Sequence, residues 1–269
     1  MVMPSPILFS SAAFFARPLA DTFRSLEETG YTGVEVMVTK DPASQDPSEM
    51  RALADTYGLR IGAIHAPCLL ITRRVWGADL SGKIGRAIEV ASDAEVPMVV
   101  VHPPYRWQGA ARRWLDDEMP ALAARAGVTV AVENMFPLHV GRRAMTFHAG
   151  QDLAALEGLA DLVLDTSHAA VAGHDLVELR RRLSGRIRHI HLSDNAGKGW
   201  DSHLPLGEGV LPIDAFLRDL SASGYQGAIT LEIDLRRYLT EPERLRSVMV
   251  SMREQLERRL TEAEEPARR

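Results

Sequence analysis

Residues 162–168 read Leu-Val-Leu-Asp-Thr-Ser-His, an apolar run that ends on Asp165 and passes straight into a polar turn carrying His168. The run is too short for a helix and has no polar alternation, the pattern of a strand covered on both faces. The same design recurs on either side. IGAIH ends on His65, MVVVH on His102 and VTVAVE on Glu133, while IRHIHLSDN carries His191 and AITLEID carries Glu232. Together with Ile7–Phe9 and Val34–Met37, the runs Arg60–His65, Met98–His102, Thr129–Glu133, Leu162–Asp165, Ile187–Ser193 and Ala228–Ile233 make a series of short β-branched segments. They repeat at intervals of roughly 25–40 residues.

Between them lie segments with helical apolar spacing: Leu19–Glu28, Ser48–Tyr57, Asp79–Ala94, Arg112–Ala126 and Ile213–Ser223. Strand alternating with helix implies parallel β/α units, and this number of units closes into a barrel more naturally than into an open sheet. The expected fold is a single (β/α)8 TIM barrel over 1–260, with a disordered tail over 261–269; a doubly wound sheet is the structural alternative. The length of 269 residues suits one such barrel, which typically needs about 250. No Gly-rich nucleotide fingerprint follows any strand.

Composition bounds the function classes. The chain is 46% hydrophobic and 25% charged, with a mean hydropathy of −0.10, and no apolar run approaches the roughly 18 residues of a membrane span. Ile7–Ala16 lacks the basic flank and cleavage site of a signal peptide and reads as a buried first strand. Cys68 is the only cysteine. It excludes an internal disulfide and a thiolate metal cluster, and makes a reducing cytoplasm the expected compartment. A net charge of −5 argues against a general nucleic-acid coat protein.

In a β/α barrel the C-terminal strand ends converge on one mouth. His65, His102, Glu133, Asp165, His191 and Glu232 would meet there, with two loop motifs, Asp165-Thr-Ser-His168 and Asp201-Ser-His203. So many carboxylates and imidazoles at one rim would cost several kcal/mol per uncompensated buried charge, and a divalent cation is the simplest compensation. Imidazole with carboxylate and no thiolate suits zinc or manganese, or iron or cobalt, better than magnesium or calcium. His139, His148, His174 and His189 fit no such pattern and read as structural or solvent-exposed. Glu35 reads equally well as structural or functional.

These residues resemble the xylose-isomerase-like TIM barrels, the superfamily that unites sugar isomerases and epimerases with the family-2 AP endonucleases of the endonuclease IV type. The most specific segments are LDTSHAAVAGHDL at 164–176 and HLSDNAGKGWDSHLPLGEG at 191–209. The resemblance implies up to three ions. His65, His102 and Glu133 would hold one; Glu133 would bridge to a second completed by Asp165, His191 and Glu232; His168, Asp201 and His203 would hold a third. The isomerase and epimerase members use one ion at a set matching Glu133, Asp165, His191 and Glu232.

Two activities follow from it. The first is a metal-dependent isomerase or epimerase of a sugar, sugar phosphate or polyol-derived ketone, working through a metal-stabilised enediolate with Glu133 and Glu232 passing the proton. The alternative is AP-endonuclease-like trinuclear zinc hydrolysis of abasic DNA. Basic residues in expected rim loops (Arg73, Arg74, Arg106, Arg142, Arg143, Lys198, Arg236, Arg237) suit a phosphate in either case. Arg106, Lys198, Arg236 and Trp107 are the candidate substrate contacts. Trp76, Trp107 and Trp200 are expected mainly to cap the barrel, and Arg180–Arg182, Arg186 and Arg188 to lie on its opposite face. Departures rank the two activities. Where the endonucleases carry Tyr-Leu-Ile-Asn-Leu after the first metal histidine, this chain reads His65-Ala-Pro-Cys-Leu-Leu-Ile-Thr72; it has Ser167 within DTSH for the Cys of DTCH; and Ser193-Asp194-Asn195 replaces Asn-Asp-Ser/Ala-Lys. These losses touch DNA insertion more than metal binding, so the small-molecule reading comes first. No membrane partner is expected, and monomer, dimer and tetramer all remain open.

Overall fold

The computed structural model describes residues 5–264 except 16, 69–71, 73, 141, 142 and 151; for 139, 140, 143, 144 and 264 only the backbone is described. In chain order the first half comprises β1 (Ile7–Ser10), α1 (Leu19–Glu28), β2 (Gly33–Met37), α2 (Pro47–Tyr57), β3 (Arg60–His65), α3 (Leu80–Asp93), β4 (Met98–Val101), α4 (Gly109–Asp117), α5 (Met119–Ala126) and β5 (Thr129–Glu133). A small hairpin follows, β6 (Leu138–Val140) and β7 (Arg143–Met145). Then come α6 (Leu153–Glu157), β8 (Leu162–Asp165), α7 (Thr166–Val171), α8 (Leu176–Arg182), β9 (Ile187–Leu192), α9 (Ile213–Ala222), β10 (Ala228–Leu231) and α10 (Pro242–Glu264). All the strands except β6 and β7 form one closed parallel barrel in the order β1-β10-β9-β8-β5-β4-β3-β2. Since β1 pairs with both β10 and β2, the sheet has no free edge, and the doubly wound alternative is excluded.

Strand alternation assigns each residue a side. Val34, Val36, Ile190, Leu192, Ile229 and Leu231 face outward into the apolar layer beneath the helices. Inside, Ala63, Val100, Ala131 and Val163 form a separate small cluster. Beside these short side chains there is room for Glu35, His189, His191 and Thr230, each at most 1% exposed. Leu8 plugs the interior near the N-terminal ends of β2 and β3, and a Cβ at Gly33 or Gly62 would come within 2.4 or 2.5 Å of it. Gly62→Ala is therefore expected to overpack the plug at a cost of about 1–3 kcal/mol, read as a drop in melting temperature of several degrees. An unchanged melting temperature would show that Leu8 moves freely.

Three local departures have clear causes. The helix expected over Arg112–Ala126 begins at Gly109 and is divided into α4 and α5, because Pro120 offers no N–H to the preceding turn. The hairpin of β6 and β7 lies in a stretch read as loop. The final helix continues to Glu264, correcting the start of the expected tail. Met249, Met252, Leu256 and Ala263 recur at helical spacing and are buried against the barrel, so the helix persists past 260. Residues 265–269 lie outside the described residues. No described helix is long and apolar enough to cross a membrane.

Candidate metal centre

The strand ends deliver their polar residues to one cluster at the C-terminal mouth, with Glu133 at its centre. Its Oε2 lies 3.4 Å from His65 Nε2 and 3.1 Å from His102 Nε2, and its Oε1 lies 3.1 Å from His168 Nδ1 and 3.2 Å from His191 Nδ1. Glu232 Oε2 is 2.7 Å from the same His191 Nδ1, and Asp165 Oδ2 is 4.0 Å from it. Among the described residues, ligand-type atoms within 4.8 Å of one another form the groups His65–His102–Glu133, Glu133–Asp165–His191–Glu232, Asp165–His168–His203 and Glu35–His189–His191. Asp201 joins the third of these, its Oδ2 lying 2.9 Å from His203 Nε2 and 3.4 Å from His168 Nε2. All nine residues anticipated as ligands are thus brought together.

The donor set fits a cation. Glu133 Oε2 and Asp165 Oδ2 are buried yet accept no hydrogen bond, although imidazole nitrogens stand close to both. Buried carboxylate oxygens are rarely left so; lone pairs of oxygen and nitrogen that converge without a proton between them suit a divalent ion. The electrostatics agree. Burial pushes the Glu133 carboxyl up, but His191, His102 and His168 outweigh it and hold the group well below the usual range. Burial raises Asp165 to about 6. His168 and His191 are lowered by burial but driven well above the ordinary imidazole range by the surrounding carboxylates, and Asp201 and Asp165 carry His203 to about 10.

Without an ion these raised imidazoles hold protons at neutral pH. The stability they contribute is full below about pH 6.5 and, for His203, is lost as pH rises through about 10. A cation must displace those protons. Zinc titrated into metal-free protein near pH 7 is expected to release at least about one proton per ion, and its apparent affinity to fall from about pH 8 to about pH 5. Calorimetry in buffers of different ionisation enthalpy checks both, and a pH-independent affinity would contradict them.

Backbone carbonyls fix the tautomers of three histidines. His65 Nδ1 donates to the Ala66 carbonyl (3.0 Å), His168 Nδ1 to that of Asn134 (2.9 Å) and His203 Nδ1 to that of Glu232 (3.0 Å). Each bond turns Nε2 toward a carboxylate of the cluster, where, once deprotonated, it would present its lone pair to an ion, the usual arrangement behind a metal-ligating imidazole. His203 does so from a left-handed backbone, φ 39°, a strained conformation for a non-glycine residue.

Apart from His191 and His203 themselves, the distinctive HLSDN and HLPLGEG segments are scaffolding. The Asp194 carboxylate accepts the backbone N–H groups of Asn195 (2.8 Å), Gly207 (3.0 Å), Gly209 (3.0 Å) and Leu211 (3.0 Å), tying down the loop that carries Asp201 and His203. A Cβ at Gly209 would sit 2.2 Å from Asp194 Oδ1. Ser167 donates to Asp201 Oδ1 (2.6 Å) and accepts from Asn195 Nδ2 (2.9 Å), so the Ser of DTSH orients Asp201.

Beside the cluster opens a cavity of about 580 Å³ lined by Tyr105, Arg106, Gln108, Arg112, His148 and His174 among others. His148 is buried with its ring 6.1 Å from that of His102; burial lowers it to about 4, so it is neutral, and its Nδ1 donates to the Pro103 carbonyl at 2.7 Å. Trp107 is 65% exposed and stacks on Tyr105 with ring centroids 4.8 Å apart. Of the other anticipated contacts, Lys198 is exposed, and Arg236 is chelated by Asp234, which neutralises it. Arg237 pairs with Glu208. Arg73 and Arg142, and the side chains of His139 and Arg143, lie outside what is described. On the opposite face Arg180 and Arg181 pair with Asp219, Arg182 with Glu157 and Arg188 with Asp161. Glu35 is the residue whose role the sequence left undecided: it is fully buried beneath the cluster against His189 and His191. Those imidazoles hold its carboxyl well below the usual range although burial opposes them.

The profile of the xylose isomerase-like TIM barrel family matches residues 23–255. The chain belongs to that family. Within the xylose isomerase-like barrels it is 35% identical over 246 residues to an uncharacterised protein of Mycobacterium tuberculosis, covering 83% of this chain and 87% of that one. It is 22% identical over 251 residues to a fructoselysine 3-epimerase of Escherichia coli O157:H7, covering 84% and 88%. Among solved xylose isomerase-like barrels, a D-tagatose 3-epimerase-like protein superposes with a TM-score of 0.76 at 22% identity over 98% of this chain and all of that one. The IolI protein, solved with a zinc atom, superposes at 0.73 with 17% identity over 97% and 99%. At these identities the structural matches establish the fold.

Proposed function

We propose that the protein is a divalent-metal-dependent epimerase or isomerase of a small sugar or sugar derivative. The observation that carries this is Glu133, a buried carboxylate with one oxygen unbonded among four imidazoles and Glu232 beside it on His191 Nδ1. Glu133, Asp165, His191 and Glu232 would hold the principal ion, zinc or manganese by their chemistry; His65 and His102 would share Glu133 with a second, and His168, Asp201 and His203 would hold a third. Bound there, a divalent cation supplies Lewis-acid polarisation of a carbonyl and its neighbouring hydroxyl.

The chain's own residues do the rest. Glu232, whose side chain is 15% exposed against 1% for Glu133, stands nearer the open mouth. It would take a proton from the carbon between carbonyl and hydroxyl, and Glu133, having first picked up a proton from water, would return one, so that one carboxyl begins and the other ends the step protonated. The cavity beside His102 has the size of a small-molecule site. There the neutral His148, with Nδ1–H committed to Pro103, would offer Nε2 as an acceptor for a sugar hydroxyl; Arg106 would take an anionic group and Trp107 would cover an apolar sugar face. The family match and the sugar-epimerase relatives support this reading.

The test combines elemental analysis with solvent deuterium wash-in over a panel of ketoses and their phosphates. At least one divalent ion per chain, and deuterium entering one sugar at the carbon beside its carbonyl, are expected. Protein that binds no divalent ion, or a panel that takes up no deuterium, would overturn it. Convergence of His168, Asp201 and His203 favours a second reading, trinuclear hydrolysis of abasic DNA. Under that reading a duplex with one abasic site would be cut, and a Glu133→Gln variant would not cut it.

A further inference from the structure

His191 differs from its neighbours. His65, His168 and His203 each anchor Nδ1 on a backbone carbonyl and turn Nε2 toward a carboxylate of the cluster. His191 turns the other way: its Nδ1 faces Glu133 and Glu232, and its Nε2 points down the barrel. Inside a parallel barrel the strand carbonyls are committed to the ladder, so no main-chain acceptor is available at that depth. Glu35, on the opposite wall, supplies one. His191 Nε2 makes its hydrogen bond with Glu35 Oε2 at 3.2 Å and lies 3.0 Å from Oε1, which accepts none.

Glu35 is in turn held. His189 Nε2 donates to its Oε2 at 2.7 Å and the Thr230 hydroxyl donates to the same oxygen at 3.0 Å. Glu35, His189, His191 and Thr230 are all buried, and a carboxylate placed there without a purpose would be a costly choice. Separations of 2.7–3.2 Å are those of N–H···O and O–H···O bonds, and Glu35 Oε2 accepts such bonds from His189, His191 and Thr230.

We propose that Glu35 is a positioning residue for the metal centre: by accepting the Nε2–H of His191 it fixes the tautomer and ring plane that present Nδ1 to the ion, with His189 and Thr230 fixing Glu35. This rests on the metal-dependent reading above. Glu35 does not touch the substrate. It acts through His191, in the way that outer carboxylates orient ligating histidines elsewhere.

The first test uses the intact protein loaded with zinc and labelled with ¹⁵N-histidine, the His191 signals being assigned by comparison with a His189→Gln sample. Long-range ¹H–¹⁵N correlation is expected to show His191 protonated at Nε2 and coordinated through Nδ1; coordination through Nε2, with the proton on Nδ1, would overturn the proposal. The second compares zinc dissociation constants by chelator competition. Glu35→Gln is expected to weaken binding about 10- to 100-fold and to alter the visible spectrum of the cobalt-loaded form, with the metal-free protein still folded. Unchanged zinc affinity and cobalt spectrum in a folded Glu35→Gln protein would also overturn it. If Glu35→Gln does not fold, the tautomer measured in the unmodified protein decides. Unmodified protein that takes up no zinc would instead remove the metal-dependent reading, and this inference with it.

Discussion

Glu133→Gln is expected to abolish deuterium exchange, lowering turnover by about 10³-fold, and to leave the protein with substantially less metal than the parent. The reason is geometric. One carboxylate serves both sides of the cluster, Oε2 toward His65 and His102 and Oε1 toward His168 and His191. Glutamine keeps the shape, removes the charge, and turns an N–H₂ donor toward nitrogens whose lone pairs should face an ion. The metal-free variant should also be less stable than the metal-free parent. The nearby imidazoles hold the Glu133 carboxyl well below its usual range, so neutralising it removes a partner from buried imidazolium charge, a loss held to about 1–3 kcal/mol because Asp165 and Glu232 still face the same rings. Elemental analysis, deuterium wash-in and calorimetry on both forms check this. A Glu133→Gln protein with full metal and full exchange would remove Glu133 from the chemistry.

Asp194→Ala should produce the largest loss of stability. Its carboxylate is 2% exposed and accepts four backbone N–H groups across 195–211. Hydrogen bonds to a charged group contribute about 1.5–3 kcal/mol each, and stranded buried donors cost a comparable amount. Water reaching the opened loop recovers part of that. A net loss of about 3–5 kcal/mol, or a melting temperature lower by about 10 °C, is expected. The functional loss should be selective. Asp201 and His203 lie on that loop, so any ion they hold with His168 should be lost first, while His65, His102 and Glu133, at the C-terminal ends of β3, β4 and β5, keep their places. Asp194→Asn retains one acceptor oxygen and should fall between the two. Equal loss of all bound metal would show that the loop supports the whole cluster.

The two variants also separate what local sequence displays from what it conceals. Glu133 was legible because a polar residue ending an apolar run is a local signal, and a parallel barrel turns every such end toward one mouth. Asp194 was quoted within a distinctive motif, yet its task, bonding amides up to 17 residues ahead, depends on the path of the loop. Arg236 shows the reverse. Its position in a rim loop suggested a substrate contact, but Asp234, two residues earlier, takes its guanidinium. His148 read as structural or solvent-exposed; folding buries it and also places it on the wall of the cavity beside His102.

By itself the sequence determined the fold, the mouth and the kind of chemistry available there. Strand period, helix period and strand-end polarity are each written within a few neighbouring residues, and a single cysteine leaves only imidazole and carboxylate for an ion. Tertiary structure alone decided the place of Glu35, the tautomers of His65, His168 and His203 and the support of the loop after β9. Glu35 meets His189 and His191 across 154 and 156 residues of chain, at a level set where the β2–β3 register shifts between Val34 and Glu35. A one-residue change in that register turns a side chain from the inside of the barrel to the outside. That choice is made only when the sheet closes, when all strands fix one another's positions together.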